Sequence, residues 1–160
     1  MILAGAKRRS LYMGLLCASV GALSGLYVSA SAIGDGYGIF IVIAPIAAFL
    51  SGSLSWWVVM ERVHSESLPR AALTGVLATI IGHYLCWYLI FFATFLSHTI
   101  TKTHDAVSGA PLNPIEALSA AGIYSLFSLL FLGPATVTTG ILISIAFTIA
   151  QRRKTLSQNQ

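Results

Sequence analysis

The stretch AALTGVLATIIGHYLCWYLIFFATFL, residues 71–96, decides which fold this chain can adopt. It carries no Asp, Glu, Lys or Arg and is longer than the roughly 20 apolar residues that an α-helix needs to cross about 30 Å of hydrocarbon. A strand of a membrane barrel would instead alternate apolar and polar residues over about ten positions. The stretch therefore predicts a membrane-spanning helix.

The composition of the whole chain agrees with this interpretation. Of its 160 residues, 56% are hydrophobic and 9% are charged, whereas a soluble domain carries about 25% charged residues. The mean hydropathy is +0.83. We therefore predict an all-α integral membrane protein that lies in a lipid bilayer.

Three further apolar runs complete a predicted four-helix transmembrane bundle. The four predicted helices cover residues 11–32, 37–59, 71–96 and 117–150. Residues 97–116 form the predicted outer loop, and residues 151–160 form a cytoplasmic tail. Because a separate soluble domain needs about 100 residues, we expect residues 1–160 to form a single membrane domain.

The positions of the basic residues predict the orientation of the bundle. The basic residues on one side of the predicted membrane are Lys7, Arg8, Arg9, Arg62, Arg70, Arg152, Arg153 and Lys154. Only Lys102 falls on the opposite side. By the positive-inside rule both termini are expected in the cytoplasm, in a multi-pass protein of a bacterial inner membrane. No basic face with interleaved aromatic residues lies outside the helices, so we expect no nucleic-acid partner.

A cleaved signal peptide is the alternative interpretation of the first helix. A basic start, an apolar run and the small residues Ala30 and Ala32 fit a signal peptidase site. However, the run at 11–32 is longer than the usual signal core of about 7 to 15 residues. We therefore expect the first helix to be retained.

Local signals refine the ends and bends of the helices. Asn113 is followed by proline and, three residues later, by Glu116, which predicts a capped helix start. Proline inside an apolar run predicts a helix bend, and we expect bends at Pro45 and Pro134. Trp56 and the adjacent Trp57 are expected at the inner headgroup level.

The two halves of the chain are candidates for duplicated helical hairpins. Gly14 and Gly21 in the first helix have the same spacing as Gly75 and Gly82 in the third. The second and fourth helices each carry a proline followed by a glycine and then an arginine at similar distances. This weak repeat predicts that the second half is a parallel copy of the first.

Small residues form stripes that let helices approach closely. The predicted packing residues are Gly21, Gly25, Ala44, Ala48 and Gly52. Such stripes favour close backbone contact in membranes. The first interpretation is packing of helix 1 on helix 2 within one chain, and the alternative is a face for a homo-oligomer or a partner helix.

His83 is the residue most indicative of a site, because an ionisable side chain near the middle of a membrane helix is costly. The predicted intramembrane polar site contains His83, Tyr84, Ser128, Thr136 and Thr139. Three roles remain open for His83: a packing residue bonded to a neighbouring hydroxyl, a contact for a proton or solute, and a metal or haem ligand. Since no second pair of ligands lies at that depth, we expect no metal and no cofactor. A surface metal site at His98, His104 and Asp105 is a weaker alternative.

The predicted helices lack the groups that most membrane chemistry requires. They contain no buried carboxylate for ion-coupled transport and no catalytic constellation, so an enzyme is not expected. Cys17 and Cys86 lie inside helices, which disfavours a thiol–disulfide exchange enzyme. We therefore predict an accessory subunit or immunity-type protein that contacts another membrane or periplasmic protein, or copies of itself. The alternative is an oligomeric channel or carrier for a small neutral solute.

Overall fold

The structure, a computed structural model, describes residues 2–33, 36–63, 67–101 and 111–158. These residues form helices and turns, with no strand among them. The four α-helices are α1 (Ile2–Ser31), α2 (Phe40–Trp56), α3 (Leu68–Thr101) and α4 (Pro114–Gln158). Four segments are long and apolar enough to cross a membrane, and they run over Arg9–Ser31, Tyr37–Glu61, Leu68–Ile100 and Pro114–Arg153. The prediction of an all-helical chain with four candidate spans is confirmed.

The helix ends differ from the predicted ones because hydropathy marks only the apolar part of a helix. Backbone hydrogen bonding carries α3 beyond residue 96 to Thr101, and it carries α4 to Gln158. The α2 helix is shorter than predicted, but a 3₁₀ turn at Tyr37–Ile39 and a π-helical turn at Trp57–Glu61 extend it on both sides. Gly36 precedes the first of these turns with a φ of 97°, a conformation that glycine tolerates best.

The helices pack in chain order. Extensive contacts join α1 to α2 and α3 to α4, and α2 also packs along α3. In contrast, α1 and α4 touch at only a few positions. We call this weakly closed line between α1 and α4 the seam. An open depression of about 360 Å³ lies on it, lined by Tyr12, Leu15, Leu16, Ser19 and Phe147.

Glycine allows close approach in both hairpins. A Cβ atom on Gly21 of α1 would lie 2.7 Å from the carbonyl oxygen of Ala44 and 2.8 Å from the Cβ of Ala48, both on α2. A Cβ on Gly75 of α3 would lie 2.5 Å from the carbonyl carbon and oxygen of Gly140 on α4. Since real Cβ atoms do not approach other atoms so closely, each glycine sets the distance between its two helices.

A buried core lies at the end of the bundle that carries Arg9, Arg62 and Arg70. Trp56 is 1% exposed and packs edge-on against Phe147 of α4, with 5.0 Å between the ring centroids. The indole of Trp56 therefore faces the inside of the bundle and not the outside, while its position at the headgroup level stays a prediction. Trp57 is 44% exposed, and the guanidinium of Arg62 lies 5.1 Å from the centroid of its ring.

The start of α4 has the capping box that the sequence predicts. The side-chain oxygen of Asn113 accepts hydrogen bonds from the backbone N–H groups of Ile115 at 3.0 Å and Glu116 at 2.9 Å. In return, the carboxylate of Glu116 accepts the backbone N–H of Asn113 at 3.3 Å. Three N–H groups that would otherwise lack a partner at this helix end are satisfied.

Replacing Asn113 with alanine should therefore fray the start of α4. We expect the free energy of unfolding to fall by about 1 kcal/mol, the usual contribution of a helix cap. Hydrogen exchange at the amides of Ile115 and Glu116 should accelerate relative to amides in the middle of α4. The control is Asn113→Asp, which keeps a side-chain oxygen and should exchange as slowly as the parent. Equal exchange rates in all three proteins would show that the cap does not hold this helix end.

Candidate functional site

His83 lies near the middle of α3 and joins it to α4 through both ring nitrogens. Its Nδ1 atom is 2.5 Å from the Ser128 hydroxyl, and its Nε2 atom is 3.1 Å from the Thr136 hydroxyl. Ser128 and Thr136 lie eight positions apart, about two turns of helix, so they project from the same side of α4. The imidazole therefore bridges two points on one face of the neighbouring helix.

The hydrogen-bond network assigns the protons on this bridge. The Thr136 hydroxyl donates to the carbonyl oxygen of Leu132 at 2.9 Å, so its hydrogen is already committed. Nε2 of His83 must then carry a proton and donate it to the Thr136 oxygen. A neutral imidazole has one donor nitrogen and one acceptor nitrogen, which leaves Nδ1 to accept the hydroxyl hydrogen of Ser128. The arrangement satisfies a neutral His83 on both sides.

Thr79 extends this polar cluster by one helical turn. Its hydroxyl donates to the carbonyl of Gly75 at 2.9 Å and lies 3.4 Å from the carbonyl of Thr136 on α4. Gly75 itself contacts α4, as described above, so Thr79 is held against α4 where the two backbones are closest. His83, Ser128, Thr136 and Thr79 together form what we call the His83 cluster.

A cavity of about 110 Å³ lies beside the His83 cluster, and all four helices contribute to its lining. Most of the lining is apolar side chain or glycine. The side chains that can form hydrogen bonds are Cys17, Ser24, Ser51, Thr79, His83, Cys86, Trp87, Ser128 and Thr136. The cavity is partly open, and both helices of the seam contribute to its wall. It is a small, mostly apolar space with one concentrated group of polar atoms.

The structure brings together only part of the predicted polar site. His83, Ser128 and Thr136 meet, whereas Tyr84 and Thr139 do not line the cavity. The hydroxyl of Tyr84 donates to the carbonyl of Leu118 at 3.2 Å, and that of Thr139 donates to its own helix. Tyr84 follows His83 directly and so points about 100° away around the helix, which is the reason for its different partner.

Six of the lining side chains that can form hydrogen bonds are absent from the predicted polar site: Cys17, Ser24, Ser51, Thr79, Cys86 and Trp87. Thr79 had a detectable signal, because it precedes His83 by four positions and therefore shares a helix face with it. Trp87 follows His83 by four positions and had the same signal. Ser24 on α1 and Ser51 on α2 had none, since only the packing of the helices brings them to the cavity.

The predicted packing residues form much of the opposite wall. Gly21, Gly25, Ala44 and Ala48 all line the cavity. A Cβ on Gly25 would collide with the carbonyl oxygen of Phe40, and one on Gly52 would lie 2.6 Å from the sulfur of Cys17. These small residues join α1 to α2, and their lack of bulk also leaves space beside His83.

The two predicted bend positions lie inside continuous helices. The α2 helix continues through Pro45, and α4 continues through Pro134. A proline at 134 cannot bond the carbonyl four residues earlier. The nearby threonines donate to other carbonyls: Thr136 donates to Leu132, and Thr138 donates to Pro134. Their hydroxyls therefore form hydrogen bonds in the following turns. They do not bond the carbonyl that Pro134 leaves without its usual backbone N–H partner.

The described residues hold no group of three or more His, Cys, Asp or Glu side chains placed to bind a metal ion. Cys17 and Cys86 are free thiols. Two members of the alternative surface site, His104 and Asp105, lie outside the described residues.

A scan against protein-family models, a search of curated proteins and a search of solved structures each found no match.

Proposed function

We propose that this protein binds a small uncharged solute within the membrane, in the cavity beside His83, and acts as a carrier for it. The observation that carries the proposal is the placement of the cavity. It lies between all four helices and against His83, whereas the middle of the described spans carries no Asp, Glu, Lys or Arg. Intramembrane ionisable residues commonly mark solute pathways.

The chemistry of the lining supports an uncharged solute. No Asp, Glu, Lys or Arg is among the described residues that line the cavity. An ion in this space would lose its hydration without gaining a countercharge, which costs several kcal/mol or more. Most of the lining would contact an apolar molecular body, while the His83 cluster would orient one polar group.

The volume of the cavity limits the size of the solute that it can hold. An engineered protein cavity of about 150 Å³ accommodates benzene. The cavity beside His83 measures about 110 Å³ and is partly open. We therefore expect a solute with about the bulk of a six-membered ring, and we expect larger molecules to be excluded unless part of them extends into the seam.

The proposed location is a bacterial inner membrane with both termini in the cytoplasm. Five arginines with described side chains support this orientation, because they flank the ends of the spans on one side: Arg9, Arg62, Arg70, Arg152 and Arg153. Basic residues are retained preferentially on the cytoplasmic side of a membrane. The His83 cluster would then lie near the bilayer midplane.

Filling the cavity tests the proposal. Val20 lines the cavity from α1, and Val20→Phe should occupy part of its volume. The matched control is Leu23→Phe, since Leu23 lies on the same helix and is 69% exposed. In lipid nanodiscs, cyclohexanol titrated against the parent protein should change the tryptophan fluorescence, because Trp87 lines the cavity. We expect the response to persist in Leu23→Phe and to weaken at least tenfold in Val20→Phe. No saturable response in the parent protein would refute the proposal.

The second candidate function is an accessory subunit or immunity-type protein that acts through contacts with another membrane protein. The seam supports it, since α1 and α4 leave a line that a partner helix could close. A photo-cross-linking residue at Leu132, which lines the cavity from α4, should then capture one polypeptide of a single mass in cells. The same residue at Leu126 is the control, because Leu126 is 69% exposed. Cross-links to lipid alone at both positions would reject this candidate.

A further inference from the structure

We propose that the cavity prefers solutes that donate a hydrogen bond, and that its ligands are small neutral alcohols more than ketones or ethers of the same shape. This inference rests on the proposed function, because it names the chemical class of the solute for the same cavity. It follows from the directions of the hydrogen bonds in the wall.

The hydroxyl hydrogens around His83 are already used within the protein. Thr136 donates to the carbonyl of Leu132, Thr79 donates to Gly75, and Ser51 donates to Ala48 at 3.2 Å. Each of these oxygens keeps a lone pair that can accept a hydrogen bond. The hydroxyls therefore present acceptors to the cavity.

His83 and Ser128 complete this pattern. With Nε2–H donating to Thr136, the Nδ1 atom takes the hydrogen of the Ser128 hydroxyl. The proton of the imidazole and the hydrogen of Ser128 are then both committed, whereas the Ser128 oxygen can still accept. A solute at the His83 cluster finds acceptor oxygens and no uncommitted donor.

Hydrogen donors are available elsewhere in the lining. The hydroxyl of Ser24 lines the cavity from α1, and the indole N–H of Trp87 belongs to a lining ring that packs against Tyr124, with 4.9 Å between their centroids. An alcohol can donate to the His83 cluster and accept from one of these groups. A ketone can only accept, so it gains one hydrogen bond fewer.

The difference in affinity should correspond to that one hydrogen bond. A net contribution of about 0.5–1.5 kcal/mol makes cyclohexanol bind roughly two- to twelvefold more tightly than cyclohexanone. Both molecules have the same carbon ring, so the comparison isolates the donor. Binding is measured by tryptophan fluorescence in nanodiscs, after subtraction of the partitioning of each compound into protein-free nanodiscs.

A pair of threonine variants tests whether the His83 cluster is the source of the preference for alcohols. Thr136→Val keeps the shape of the side chain, removes the acceptor oxygen and should bring the affinity for cyclohexanol down to that for cyclohexanone. Thr138→Val is the control, because Thr138 is exposed and bonds only its own helix. Thr79→Val serves as a second variant if Thr136→Val does not fold, because it removes another acceptor oxygen of the His83 cluster without freeing a nitrogen of the imidazole.

The outcomes separate this inference from the proposed function. Equal affinity of the parent protein for the alcohol and the ketone would overturn the donor preference and leave the binding function standing. A preference that survives in both Thr136→Val and Thr79→Val would also overturn it, since the His83 cluster would not be its source. Failure of both compounds to bind would reject the proposed function itself.

Discussion

Gly75→Leu is expected to separate α3 from α4 and to prevent stable folding. Even a Cβ atom at this position would lie 2.5 Å from the carbonyl group of Gly140 and 2.6 Å from the backbone nitrogen of Ile141. These are backbone atoms, so no side-chain rotation relieves the collision. Inserting bulk into a packed interior costs about 1–3 kcal/mol, and more where the backbone must move. We expect a loss at or above the upper end of this range.

The measurement for Gly75→Leu is thermal unfolding in detergent micelles, followed by circular dichroism and by tryptophan fluorescence. Gly122→Leu is the matched control, because Gly122 lies inside α4 and a Cβ there would meet nothing within 4 Å. The control should unfold close to the parent temperature, whereas Gly75→Leu should unfold well below it or fail to fold. Equal unfolding temperatures for both variants would contradict the close contact between α3 and α4.

His83→Phe is expected to weaken the α3–α4 contact and to abolish solute orientation in the cavity. Phenylalanine fills a similar volume but forms neither of the two hydrogen bonds that His83 makes to Ser128 and Thr136. Side-chain hydrogen bonds between membrane helices contribute about 0.6 kcal/mol on average and up to about 1.7. Losing both should lower the free energy of unfolding by about 1–3 kcal/mol.

A double-mutant cycle isolates the bond between His83 and Thr136. The cycle compares His83→Phe, Thr136→Val and the double variant, and a direct bond predicts that the two losses of stability are not additive. Tyr84→Phe is the control, since the Tyr84 hydroxyl donates to Leu118 and should show no coupling to Thr136. Additive losses for the His83 and Thr136 variants would mean that the two side chains do not interact.

The spans and one helix end were predictable from the sequence because each depends on neighbouring residues. A long apolar run specifies a helix without reference to the rest of the chain. The capping box at Asn113 and Glu116 is equally local, since its partners are three residues apart. The start of α4 therefore agrees with its prediction.

The cavity was not predictable, because it depends on how the helices pack. Ser24 and Ser51 come to His83 from two other helices, and their positions in the sequence carry no signal of this. Thr139 shows the same limitation in reverse: it was assigned to the polar face of α4, but its hydroxyl bonds Ala135 and lies outside the cavity lining. The burial of Trp56 likewise depends on tertiary contact with Phe147, which its place in the sequence does not indicate.

The proposed duplication stays a prediction. One pair of corresponding glycines makes matching contacts in the two hairpins, and the other pair does not. Gly14 and Gly75 each face the second helix of their own hairpin, at Ser53 and Gly140 respectively. Their counterparts differ, since Gly21 faces Ala44 within its hairpin while Gly82 of α3 faces Ser51 of α2. The contact between the hairpins accounts for this difference, because α3 packs against two helices and α1 mainly against one.

The most direct test of the central claim is ¹⁵N NMR of histidine-labelled protein in bilayers, with and without cyclohexanol. The signal of His83 is assigned by its loss in His83→Gln. We expect a neutral imidazole that is protonated at Nε2 and not at Nδ1, and its nitrogen shifts should change saturably as cyclohexanol is added. A ring protonated at Nδ1, or nitrogen shifts that do not respond to saturating cyclohexanol, would contradict the claim that His83 forms the polar side of a solute site.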